Sequence, residues 1–82
     1  MTTGHPHLPR RPLWLCRACA AAWPCGAARE ALLIEYADNL VGLSVYLCSA
    51  LFDATADLHT LNPDGSPSPR DLYARFISWV PR

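Results

Sequence analysis

Cys16-Arg17-Ala18-Cys19-Ala20-Ala21-Ala22-Trp23-Pro24-Cys25 places three thiols within ten residues, and the rest of the chain reads as a body attached to that stretch. The Cys16-x2-Cys19 spacing lets two thiolates and nearby backbone N–H groups curl round one ion, and Cys25 returns to it after a second turn. His7 stands upstream in a proline-rich arm. An extended chain easily spans the eight residues between it and Cys16, so the set His7, Cys16, Cys19 and Cys25 can complete a tetrahedral zinc site. His5 is the alternative fourth ligand, and Pro6 between the two histidines opposes ligation by both. Four protein ligands leave no open position, which points to a structural zinc rather than a catalytic one.

The surroundings of the cysteines fit that use. Pro24 stiffens the second turn and Gly26 offers a positive φ or a close approach. Trp23 reads as a hydrophobic lid over the metal. Pro6, Pro9 and Pro12 fix φ and remove backbone donors, so residues 1–15 are expected to be irregular, with Leu13 and Trp14 anchoring the return. Cys48, the only other cysteine, sits inside an apolar helix and reads as a small core residue. That leaves an iron–sulfur cluster, which usually takes four cysteines, short of a ligand.

Outside the knuckle the pattern is helical. A first helix is expected over about 27–37, with Leu32, Leu33 and Tyr36 inward, and Asp38 or Asn39 capping the next. The second, about 39–61, is apolar over most of its circumference and needs cover on several sides. A chain of 82 residues offers little to cover it, which suggests a homodimer through this central helix or a protein partner. Asn62 to Pro67 is rich in turn formers. Ser68, Pro69 and Asp71 then open a third helix whose buried face runs from Leu72 to Val80, with Pro81 as its stop. The fold class is all-α: one domain, with an arm and zinc knuckle over 1–26 and a three-helix body over 27–82 built round a long buried central helix.

Charge narrows the function without fixing it. Seven arginines and no lysine balance seven acids, yet Arg10, Arg11 and Arg17 occupy the first 26 residues without a single acid. This basic arm is the expected contact surface. Nucleic acid is a weaker alternative, since binding to it depends on many cationic contacts. Nothing at the N-terminus resembles a secretory signal, so a cytoplasmic location is expected and with it reduced thiols. Asp53 and Asp57 fall within the long apolar run from Leu40 to Leu58 and argue against a membrane span. They share one helical face as a solvated stripe, or pair with Arg29 or Arg75. His59 belongs to the surface near the helix C-terminus. No phosphate-binding glycine loop or catalytic constellation stands out, and no catalytic residue is assigned.

His7-x8-Cys16-x2-Cys19-x5-Cys25, with Trp14, Trp23, Pro24 and Arg29 around it, resembles a group of small actinobacterial proteins. The similarity continues through Tyr36, Leu47, Asp53, Asp57, Leu58 and the closing Leu72-Tyr73-Ala74-Arg75-Phe76-Ile77-Ser78-Trp79. Such proteins often carry glycine where this chain has Ala20. The resemblance implies the same four metal ligands. Because members are often called flavin reductases, it also implies a flavin-dependent oxidoreductase as the alternative to a non-enzymatic, zinc-stabilised interaction or regulatory module.

Overall fold

Proline shapes the first element instead of preventing it. A computed structural model of the chain describes residues 6–81. In it the arm forms a short hairpin: β1, Pro9–Arg10, pairs antiparallel with β2, Leu15–Cys16, in the register Pro9 to Cys16 and Arg10 to Leu15. Pro9 has no N–H to give, but a two-stranded edge does not require one from every residue. Trp14 donates to the Arg10 carbonyl at 2.7 Å and Arg17 to that of Leu8 at 2.8 Å, and both bonds close the hairpin. Its four-residue loop contains the cis Arg11–Pro12 peptide and Trp14 at φ 58°. The arm is therefore not irregular throughout. Three helices dominate the chain, but the small sheet means that it is not purely all-α.

The helices are α1, Gly26–Glu35, α2, Leu40–Leu61, and α3, Pro69–Phe76. Of the two candidate caps for α2, Asn39 takes the role, its Oδ1 accepting the Gly42 N–H at 2.9 Å. Ser68 caps α3 by accepting the Asp71 N–H at 3.1 Å, with Pro69 in the first turn, as an N-cap and first-turn proline should. That helix ends at Phe76, earlier than Pro81, and residues 77–80 continue as turns.

The core gathers where the knuckle meets α2 and α3. Trp14, Trp23, Leu43, Leu47 and Phe76 are all buried, and Trp23 and Phe76 are among the largest side chains with almost no exposure. Their rings touch: Trp14 meets Phe76 edge-on at 5.7 Å between centroids, and Trp23 lies 6.0 Å from Phe76 and 6.4 Å from Tyr46. Leu13, expected to share the anchoring, is half exposed.

The central helix is not covered as its composition requires. Leu43, Leu47, Ala50 and Ala54 are its buried residues, whereas Val41 and Phe52 are 76% and 80% exposed and Cys48 also faces outward. The molecule measures 41 × 30 × 15 Å. A helix with its side chains is about 10–12 Å across, so 15 Å leaves no room for cover on both sides of α2. By length and composition alone, α2 is long and apolar enough to cross a membrane. Its acids, however, are engaged elsewhere, as described next.

Three arginines join the N-terminal third to the helices, and neither Arg29 nor Arg75 pairs with Asp53 or Asp57 as the sequence suggested. Arg75 of α3 donates Nε–H to the Trp23 carbonyl at 2.7 Å and Nη2–H to the Trp14 carbonyl at 2.6 Å. Arg29 of α1 donates to the carbonyls of Pro24 at 3.1 Å and Arg75 at 3.2 Å, and lies over the Trp79 ring. Arg29 and Arg75 thus serve backbone carbonyls, and Asp57 takes Arg11 instead. Its Oδ2 accepts from Arg11 Nε at 2.8 Å and from Trp14 Nε1 at 2.8 Å, while Asp53 sits 3.8 Å from Arg11.

Arg75→Lys is expected to cost about 2–3 kcal/mol, because a point-like ammonium cannot serve both carbonyls and leaves one without its charged donor. Urea denaturation measures it, and a loss of a few tenths would show that the clamp is dispensable. A second expectation concerns acid. Hydrogen bonds from Arg11 and Trp14 hold the Asp57 carboxyl below its ordinary value. Its contribution is therefore complete above the unfolded-state value near 4 and disappears as pH falls through the lower folded value. Asp57→Asn should flatten the decline in stability below about pH 4, as followed by thermal melts across pH.

Candidate metal centre

The hairpin and the turn into α1 bring all four sequence-expected ligands together. The ligand atoms of His7, Cys16, Cys19 and Cys25 all lie within 4.8 Å of one another. His7 Nδ1 is 3.1 Å from Cys16 Sγ and 3.3 Å from Cys25 Sγ. Donors on one zinc, with bonds of about 2.0 Å to nitrogen and 2.3 Å to sulfur, stand roughly 3.5–3.8 Å apart in a tetrahedron. The cluster therefore fits a metal ion of that size. No disulfide links these cysteines. His5 lies outside the described residues.

Each ligand has a different source of support. His7 precedes β1, and its carbonyl accepts the Trp23 indole N–H at 3.0 Å, which ties the arm to the second turn. Trp23 thus fixes the backbone of one candidate ligand while its ring packs against Trp14, Tyr46 and Phe76. Cys16 closes β2 and Cys19 follows in a tight turn, where Ala20 N–H donates to the Cys16 carbonyl at 2.9 Å and Cys16 N–H to that of Ala21 at 2.7 Å. Cys25 occupies the N-cap position of α1. Cys16 and Cys25 are buried, His7 is half-buried and Cys19 is exposed, so one edge of the cluster faces solvent.

The electrostatics separate the thiols. Burial acts to raise Cys16, but the N–H groups of Cys19 and Ala18 and the hydrogen bonds with Cys19 and Cys25 outweigh it, bringing the thiol down to about 6. Burial also raises Cys25. There the N–H of Ala28 in the first turn of α1 opposes it, but the neighbouring Cys16 and Cys19 sulfurs push the thiol further up. Such a cluster carries one ready thiolate and favours a cation that would hold the others deprotonated.

The left-handed turn after Cys19 falls at Ala20, the position that the sequence marked as a departure, and not at Gly26. Gly26 begins α1, and among the described residues no glycine has a positive φ; Ala20, directly after Cys19, has φ 64°. A Cβ is disfavoured in that conformation, so glycine would suit this position better than alanine. Composition missed the Asp57 and Arg75 contacts because they join residues 43–61 positions apart.

No family model, curated protein or solved structure matches the chain.

Ala20→Gly should relieve the left-handed alanine, worth about 1–2 kcal/mol, against the greater chain entropy of glycine. A net stabilisation of about 0.5–1 kcal/mol in urea melts is expected. A destabilised variant would show that the turn carries no such cost.

Proposed function

We propose that the chain is a zinc-stabilised, non-enzymatic interaction or regulatory accessory module of the cytoplasm, akin to the small actinobacterial proteins that it resembles. The observation that carries this reading is the convergence of one imidazole and three thiol ligands, two of them buried, at the seam between the arm and the helices. Four protein ligands complete a tetrahedral coordination sphere, and such a zinc contributes to folding rather than to bond making. Thiolates also hold reduced, free cysteines to the metal in a compartment where disulfides are rare.

The metal would tie three segments into one body: the arm through His7, the knuckle through Cys16 and Cys19, and the head of α1 through Cys25. The contact surface then lies beside it. Arg11 is committed to Asp57 and Asp53, so the basic surface reduces to Arg10 and Arg17, which with Pro6 and Leu8 border an open concavity of about 320 Å³. Two arginines flanking apolar side chains suit an acidic segment of another protein, since guanidinium groups pair with carboxylates in a planar, two-pronged geometry.

Elemental analysis of protein purified without added metal tests the foundation. One zinc per chain is expected in the wild type. His7→Ala should weaken it by 10-fold or more, with loss of near-ultraviolet dichroism when a chelator is added. No metal, or iron with colour, would overturn the structural-zinc reading. A yellow protein that oxidises reduced nicotinamide faster than free flavin does would replace the non-enzymatic reading with an oxidoreductase.

A further inference from the structure

The face of α2 that points away from the core is apolar and carries a repeat of its own. Val41, Val45, Cys48 and Phe52 are exposed and follow one another at spacings of four, three and four residues. The buried residues Leu43, Leu47, Ala50 and Ala54 follow the same rhythm. At 100° per residue the two stripes point roughly 160° apart. A helix with two opposite seams is built to be covered twice, and its own chain covers one.

Alternation of three and four is the spacing of knobs-into-holes packing, in which a side chain fills the gap between four residues at i, i+3, i+4 and i+7 of the facing helix. Two such gaps exist on this face. The gap of Val41, Ser44, Val45 and Cys48 lies in a hollow that extends to Ser49 and Phe52, and the gap of Cys48, Leu51, Phe52 and Thr55 lies in a second that extends to Ala56. We infer that α2 pairs antiparallel with α2 of a second copy of this chain, Phe52 of each filling the partner's hollow between Val41 and Cys48.

Three observations select a second copy. The first is self-complementarity. An antiparallel arrangement that seats Phe52 over the first hollow also seats Val45 over the second, so one two-fold axis passing beside Cys48 satisfies both, as an isologous dimer requires. A parallel in-register pair would also seat Phe52 and Val45 in these hollows, but it would stack Phe52 on Phe52 and Cys48 on Cys48 across the axis, whereas the antiparallel pair sets each phenylalanine against the smaller Val45. The second is the absence of charge. Between Val41 and Ala56 the only charged side chain is Asp53, which leans towards Arg11, and Ser49 and Ala56 beside the seam are small enough for close approach. The third is area. With Val41, Val45 and Phe52 exposed by 76%, 62% and 80%, the seam offers on the order of 500 Å² per chain, so two chains come to the roughly 1,000 Å² that a biological interface must clear.

The metal centre lies on the other side of α2, so this inference does not depend on the identity of the metal. The test uses the full chain as purified, by light scattering after size exclusion at concentrations from about 10 µM upward. The wild type should have the mass of a dimer. Phe52→Glu and Val45→Lys, both at exposed positions, should each retain the wild-type helical circular dichroism and weaken dimerisation at least 10-fold. Mixed in equal amounts, they should recover the dimer mass, because only the antiparallel register brings position 45 of one chain to position 52 of the other. A wild type that stays monomeric at about 100 µM, or a mixture that stays monomeric, overturns the proposal. So does flotation of the monomer with phosphatidylcholine vesicles, which would make lipid the cover of this face.

Discussion

Two backbone carbonyls, those of Trp14 and Trp23, depend on one guanidinium. Arg75 reaches them from α3 at 2.6 and 2.7 Å, and the Trp14 carbonyl also accepts the Trp23 N–H at 2.9 Å. These two residues bracket the Cys16 and Cys19 turn, so the arginine holds the knuckle at both of its ends. Burial and then the nearby Arg29 lower the Arg75 pKa from its ordinary value. An arginine tolerates this because its guanidinium begins so far above neutrality that it keeps its charge. A lysine in the same place would be pressed towards neutrality and would lose a donor as well.

The indole rings connect this clamp to the ligands. Trp14 and Trp23 pack on Phe76 through their faces and edges while spending their N–H groups elsewhere, Trp14 on Asp57 and Trp23 on the His7 carbonyl. Each ring therefore contributes apolar burial at one end and a directed bond at the other, the combination that makes tryptophan effective at a junction. The N-terminal third has little secondary structure of its own. Its shape comes from hydrogen bonds to side chains that lie far along the chain.

The convergence of the four candidate ligands and the helix caps was legible in the sequence because these features are local. His7, Cys16, Cys19 and Cys25 lie within nineteen residues, and Asn39 and Ser68 cap through bonds three residues long. The hairpin was not legible, since two-residue strands flanked by proline give no alternating pattern to read. Arg29 and Arg75 looked like partners for carboxylates, and charge alone could not show that backbone carbonyls would claim them. Cys48 was assigned to the core because apolar composition cannot say which side of a helix its neighbours cover. Only the arrangement of α1 and α3 on one side of α2 decides that.

The distance of Arg75 from the carbonyls that it serves has a consequence for synthesis. Chains emerge from the ribosome N-terminus first, so the cysteines leave the exit tunnel long before the residue that fixes their turns. During that interval the thiols are presented on a flexible segment, open to metal exchange and to oxidants. The knuckle acquires its final shape only when α3 is released, which makes the emergence of Arg75 the step that seals the site.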